Sequence, residues 1–256
     1  MTNQGFLSKK SSRCLRAVRL LTILACVVYW RPANGQNRLD IPSFSARAVT
    51  IYGGKQVRSP DKKTKVHLEA LRALLAGSPG NFPTRLIVEA DGEQLTATLG
   101  FALDAEIIWS PDSRAFSLTG SVEGANGPYR TDVFLIQSGK LVSVHLTDII
   151  AKQFGHPVKC GWPELPNIAA VKWLAPSRQL LVASEIIHHS NCDSFGTFKA
   201  YAVDLEPEPR ITKVYDQLQV KRLFHGDMGE ELLQANDNCI RDPKSCRIAS
   251  NWKRAP

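Results

Sequence analysis

The hexapeptide Trp109-Ser110-Pro111-Asp112-Ser113-Arg114 recurs in altered form as Trp173-Leu174-Ala175-Pro176-Ser177-Arg178, 64 positions further on and without a gap. A fainter start, Ser59-Pro60-Asp61, precedes both. Repetition at such a period means that one supersecondary unit is used more than once, which constrains the fold more than any single motif does. The local physics is that of a tight turn. Pro presets φ at an early turn position, an Asp or Ser side chain bonds the backbone just beyond it, and the Trp ends one strand before the next begins. Phe116 and Leu118 follow the first copy as Leu180 and Val182 follow the second, and each unit runs on through a Gly- and Asn-bearing loop into an aromatic-containing stretch, 133–136 and 200–203.

Around these units the chain is a series of short β-type runs bounded by Gly, Pro, Asp and Asn. They cover 85–89, 95–99, 106–109, 115–122, 132–136, 141–146, 170–173, 180–187, 200–205 and 211–215. Runs of this length, rich in β-branched and aromatic residues and punctuated by turn formers, are expected as strands of an all-β sandwich or a propeller-like array. Two stretches carry helical signals. Leu68, Leu71 and Leu75 have helical spacing before Gly77, although that segment also alternates as a strand does. Residues 147–154 begin with an N-cap candidate and stop at Gly155, and are expected as a short helix.

The turn resembles that of WD40-like, TolB-type β-propeller repeats, whose units carry a Trp-Ser-Pro-Asp-Gly-like turn followed by a strand of alternating apolar residues. Trp109 to Ser113 matches with Ser113 in the Gly position, while Trp173, Pro176 and Ser177 represent a more divergent copy. The resemblance spans roughly residues 55–216. It implies a mostly β chain: a propeller-like array of antiparallel sheets, of about three to four blades, complete or incomplete, with one or two short helices. Ser190-Asn191-Cys192 through Gly196-Thr197-Phe198, with Cys239 and Cys246, also resembles an exported bacterial family of unassigned function. Propellers usually close with four to eight blades, and this repeat length allows only three or four, so an open stack, a degenerate blade or closure by a second chain are the alternatives.

Lys9, Lys10, Arg13, Arg16 and Arg19 precede an apolar run over 20–30, and no acidic residue occurs before Asp40. This is the pattern of a secretory signal over residues 1–35, with Ala33 and Gly35 as the small residues before a cleavage that leaves Gln36 first. The run is too short for a membrane-spanning helix, which needs about twenty residues. Ile23-Leu24-Ala25-Cys26 also resembles a lipobox, with Cys26 lipidated in an envelope-anchored protein; the close Arg19 and the apolar Val28, Tyr29 and Trp30 argue against it. The expected destination is the periplasm or the exterior, with membrane contact only through the signal or a Cys26 lipid. A lead-in segment, 36–54, a propeller-like domain, 55–235, and a basic tail, 236–256, follow.

Residues 1–35 carry six of the 32 Lys and Arg and none of the 24 Asp and Glu, so their removal takes the net charge from +8 to +2. Nucleic-acid binding inferred from net charge fails at that point. Cys160, Cys192, Cys239 and Cys246 remain, an even count that favours disulfides in an oxidising compartment. Cys239 and Cys246 enclose a short loop, which leaves Cys160 to pair with Cys192. A metal site is the alternative, since His188 and His189 stand just before Cys192, but adjacent strand residues face opposite ways and no tight ligand pair is present.

No G-x-S-x-G elbow, H-E-x-x-H, P-loop or dinucleotide fingerprint occurs; Gly120-Ser121-Val122-Glu123-Gly124 has the wrong order. Asp104, Glu106 and Asp112 are the carboxylates available for glycosidase-type chemistry, yet Asp112 is occupied by its turn and Glu106 is expected on a solvent-facing side. Asp237, between two Asn, is expected in a surface turn instead of a calcium loop. Trp109 and Trp173 are expected in the core, and Trp162, His188 and His189 as recognition residues in loops. No cofactor is expected. The function that follows is a non-enzymatic scaffold binding a protein or envelope polymer, with a small hydrolase or carbohydrate-active enzyme as the alternative.

Overall fold

The Ser-Pro-Asp turn occurs twice with the same hydrogen bonds. In the computed structural model, which describes residues 43–71, 84–100, 104–121, 128–154, 165–174, 178–187, 196–235 and 237, the Ser110 hydroxyl donates to Asp112 Oδ1 (2.7 Å) and accepts from the Ala115 amide (3.0 Å). Ser59 Oγ donates to Asp61 Oδ1 and accepts from the Thr64 amide (3.0 Å) in the same way. Each turn has one residue in the left-handed region, Ser113 (φ 61°) and Lys62 (φ 64°). That is the position the repeat pattern gives to Gly, because only Gly adopts it without steric cost. The turns also touch, the Asp61 amide donating to Ser113 Oγ (3.1 Å).

These turns join hairpins of meandering antiparallel sheets. Strands β2 (Val57–Arg58), β3 (Lys65–Ala70), β4 (Thr84–Ala90) and β5 (Glu93–Leu99) form the first sheet in chain order. The second contains β6 (Ala105–Trp109), β7 (Ala115–Ser121), β8 (Tyr129–Gln137) and β9 (Lys140–His145), with β1 (Val49–Ile51) added beside β6. The third is β10 (Asn167–Leu174), β11 (Gln179–Glu185), β12 (Phe198–Asp204) and β13 (Arg210–Asp216). All ten strand runs expected from the sequence are present. The segment with mixed signals is strand over its described part, because Val66 and Leu68 pair across to Val88 and Leu86 and share one buried face; its remainder, from 72, lies outside the described residues.

The equivalence of Trp109 and Trp173 holds in register. Trp109 pairs with Phe116 and Trp173 with Leu180. The Arg114 carbonyl accepts from the Ile136 amide (2.8 Å) as the Arg178 carbonyl accepts from that of Leu205 (3.1 Å). Trp173 is buried and donates its indole N–H to the Ile108 carbonyl of the second sheet (3.0 Å), whereas Trp109 is partly buried and packs on Phe116 at 4.8 Å between centroids.

The sheets stack face on face. Leu68, Leu86 and Val88 of the first meet Ile107, Phe116 and Phe134 of the second. The opposite face of the second, with Ile108, Val133 and Leu135, meets Ala170, Val182 and Tyr201 of the third. The far face of the third is covered by Val220 and Leu232 from α2 (Gln217–Phe224) and α3 (Glu230–Leu233), and α1 (Thr147–Phe154) inserts Ile150 between the second and third sheets. Among the described residues no hydrophobic cluster joins the first sheet to the third, so the stack is open.

The 36–54 segment contributes more than a lead-in. Ser43 to Ile51 run from α3 to the free edge of β6: the Glu231 amide donates to Ser43 O (2.9 Å), the Gly229 amide to Phe44 O (2.9 Å) and the Ala46 amide to Asp227 O (3.0 Å), before β1 pairs with β6. Gly229 is required there because a Cβ would lie 2.2 Å from the Ser43 carbonyl oxygen.

Candidate functional site

A buried polar row, unannounced by the alternating pattern, sets how the second and third sheets meet. Glu106, Thr119 and Thr131 are cross-strand neighbours on β6, β7 and β8. They face the unpaired edge of β10. Thr131 Oγ1 donates to the Ile168 carbonyl (2.9 Å), the Ala170 amide donates to Thr119 Oγ1 (3.1 Å), and Ser45 Oγ donates to the Val171 carbonyl (2.6 Å). With its proton used on Ile168, Thr131 accepts from Thr119 (2.9 Å), so each hydroxyl has one donor and one acceptor role. The row thereby satisfies backbone groups that would otherwise be buried without partners.

Glu106, expected to face solvent, is 5 % exposed. The correction has a simple cause. Alternation distinguishes two faces of a strand, but both faces of the second sheet are covered here. Its Oε2 accepts from the Phe44 amide at 3.2 Å. Burial pushes the carboxyl up to about 7, against the lowering effect of the Phe44 amide, the Ser43 side chain and the Ser45 backbone. Asp104 is likewise raised by burial. Tyr129, whose ring packs at a tilt 5.1 Å from that of Phe44, is pushed up to about 12 by burial and by the charges of Glu231, Glu106 and Asp104.

Strands β8 and β9 of the second sheet and the β10–β11 and β12–β13 turns of the third line a groove of about 830 Å³. Leu135, Val142, Val144 and Leu205 give it an apolar lining, and His145, Arg178 and Glu206 give it polar groups. Glu206 bridges the sheets, accepting from Gln137 (2.8 Å) and pairing with Arg178 (3.3 Å). His145 Nδ1 lies 2.8 Å from Asp132. Val142 is 41 % exposed, and among the described residues β9 pairs with β8 alone.

The residues singled out in the sequence separate into three groups. Ser110, Pro111, Asp112 and Ser113 form the β6–β7 turn, with Asp112 accepting from Ser110 Oγ and the Arg114 amide (3.2 Å), so that carboxylate is used structurally. Asp237 is held by Lys221 (2.8 Å) and Gln217 (2.7 Å) at the end of the helical cover. Cys160, Cys192, Cys239, Cys246, Trp162, Pro176, Ser177, His188 and His189 lie outside the described residues. Among the described residues no group of three His, Cys, Asp or Glu could hold a metal ion, and no helix is long and apolar enough to cross a membrane. The groove was missed by sequence reasoning because its walls come from strands of one sheet and turns of another, which are apposed only by sheet stacking. No family model matches the chain, and neither a curated protein nor a solved structure matches it.

Proposed function

We propose that this chain is an exported, non-enzymatic binding protein of propeller-like build, which holds a protein or envelope polymer in the groove between its second and third sheets. The observation that carries the reading is that groove: it is open, it combines exposed Val142 with the Arg178 and His145 side chains, and one wall is a strand that, among the described residues, is paired along one edge only. Apolar surface next to polar anchors is what a recognition groove offers a partner, and a free strand edge adds backbone hydrogen bonds. The N-terminal pattern supports a signal over residues 1–35 with cleavage after Gly35, and the four downstream cysteines support a disulfide-forming compartment. Periplasmic or secreted location is part of this proposal, with lipid anchoring at Cys26 as the alternative.

The test pairs capture of ligand from envelope extract with the variants Val142→Asp and Arg178→Glu. Both substitutions are on exposed side chains, so the fold is expected to survive while retention falls at least tenfold. Equal retention by the variants overturns the groove as the binding site. Intact-mass measurement of the exported chain is expected to begin at Gln36. A small hydrolase or carbohydrate-active enzyme is the second reading; turnover on a saccharide or ester panel that disappears on a single Asp or Glu substitution decides for it.

A further inference from the structure

We infer that residues 43–48 form a pH-sensitive clasp, which holds the N-terminal segment on the stack in acid and releases it towards neutrality, with the Glu106 carboxyl as its sensor. The clasp is a set of ties between the two ends of the described chain. The carbonyls of Ser43 and Phe44 accept from α3 and Gly229, the Ala46 amide donates to the Asp227 carbonyl, and Arg47 Nε pairs with the Asp227 side chain (2.9 Å). Most of these are backbone bonds that do not titrate. Asp227 does not titrate in the relevant range either: burial favours its neutral form, but the hydrogen bonds and charges of Lys172 (2.7 Å) and Arg47 outweigh burial and hold it below the usual carboxylate range.

Glu106 differs. It is almost fully buried, and the groups that meet its carboxylate are neutral donors of the clasp itself, the Phe44 and Ser45 backbone and the Ser43 side chain. Tyr129 on β8 feels the charge of Glu106 together with those of Asp104 and Glu231, and all of these groups lose a proton when they ionise, so none offsets a negative charge. Arg47 and Lys172, the cations of the clasp, are engaged on Asp227. An ionised carboxylate in such a place needs water.

Glu106 itself cannot swing out, because β6 is paired on both sides, with β1 and β7. The six residues that cover it can. Their release exposes the carboxylate, empties the place of Phe44 beside Tyr129 and frees the Val171 carbonyl on the inner strand of the third sheet. With the ordinary value of 4.5 in the open form and about 7 in the closed form, the closed form is favoured below 4.5, loses ground as pH rises to about 7 and changes little above that.

Hydrogen exchange of residues 43–51 in the full-length protein, corrected for intrinsic rates, tests this. Protection is expected to fall roughly fiftyfold between pH 5.0 and 7.5 and to lie, at pH 7.5, well below that of residues 180–185, which exchange only through global unfolding. In Glu106→Gln protection should stay high and flat. A flat wild-type profile, or an equal fall in Glu106→Gln, overturns the clasp. Should that variant not fold, Glu106→Met tests the same neutral state, and carboxyl NMR of the wild type decides alone: a Glu106 midpoint below 5 overturns the proposal, and one near 7 supports it. The readout is independent of any catalysis and of groove binding.

Discussion

The two ends of the stack solve the same problem differently. The outer face of the first sheet is mostly polar: Lys65 pairs with Glu89 (3.1 Å), His67 lies 3.4 Å from Glu69, and Arg85, Thr96 and Thr98 are exposed, around one buried apolar residue, Ile87. The outer face of the third sheet presents Val171, Leu181, Ala183, Ala200 and Ala202, and it is roofed by α2, α3 and the N-terminal segment. One end is finished by side chains that water accepts, and the other by added chain. Stacked repeats need such caps, since a terminal repeat has a neighbour on one side only. The difference bears on the alternatives left by the short repeat count: among the described residues neither outer face presents a bare apolar surface for a second chain to cover.

The contrast can be broken most severely at the roofed end. Val220→Asp puts a charge into the fully buried contact between α2 and the third sheet, and a loss of about 4 kcal/mol is expected, read as a lower urea midpoint. Next in size is the Glu106 titration. Its carboxyl is raised to about 7, above the ordinary 4.5, so the protonated fold is favoured: stability is greatest below pH 4.5, falls by about 3 kcal/mol by pH 7 and then levels off. Denaturant titrations at pH 4.5, 6 and 8 check the sign, and Glu106→Gln should abolish the trend.

Thr119→Val sharpens the comparison from inside the stack. It preserves shape but leaves the Ala170 amide without its acceptor, and about 2 kcal/mol is expected from equilibrium unfolding. Lys65→Gln at the polar end should change stability by no more than about 0.5 kcal/mol, because the ion pair it removes is solvent-exposed on one third of each partner's side chain. An effect of Lys65→Gln as large as that of Val220→Asp would mean that the first sheet's outer face is covered in solution.

Legibility followed the range of the interactions. The hairpin turns were readable because Ser, Pro and Asp bond within five residues of one another, and even the faint Ser59 copy forms the same turn as Ser110. Helix α1 was readable from local capping. Helix α2 was missed, although Asp216 and Gln219 form a capping box, with the Gln219 amide donating to Asp216 Oδ1 at 2.8 Å; the signal lies directly after an apolar strand and was absorbed into it. Strand β1 is three residues long and has meaning only beside β6. Glu106 was misplaced because its environment is made by Phe44, 62 positions away.

The sequence by itself determined the strands β4 to β13 and the turns between successive hairpins, since these depend on alternation, on Pro and Asp at turn positions and on neighbours close in the chain. Only the tertiary structure decided which sheet faces are covered, that hydroxyls of the second sheet satisfy the edge of the third, and that a carboxyl is enclosed where the chain's first described segment meets its last helix. Burial is a property of surfaces brought together across the whole chain, and a local pattern carries no record of what will be stacked on it.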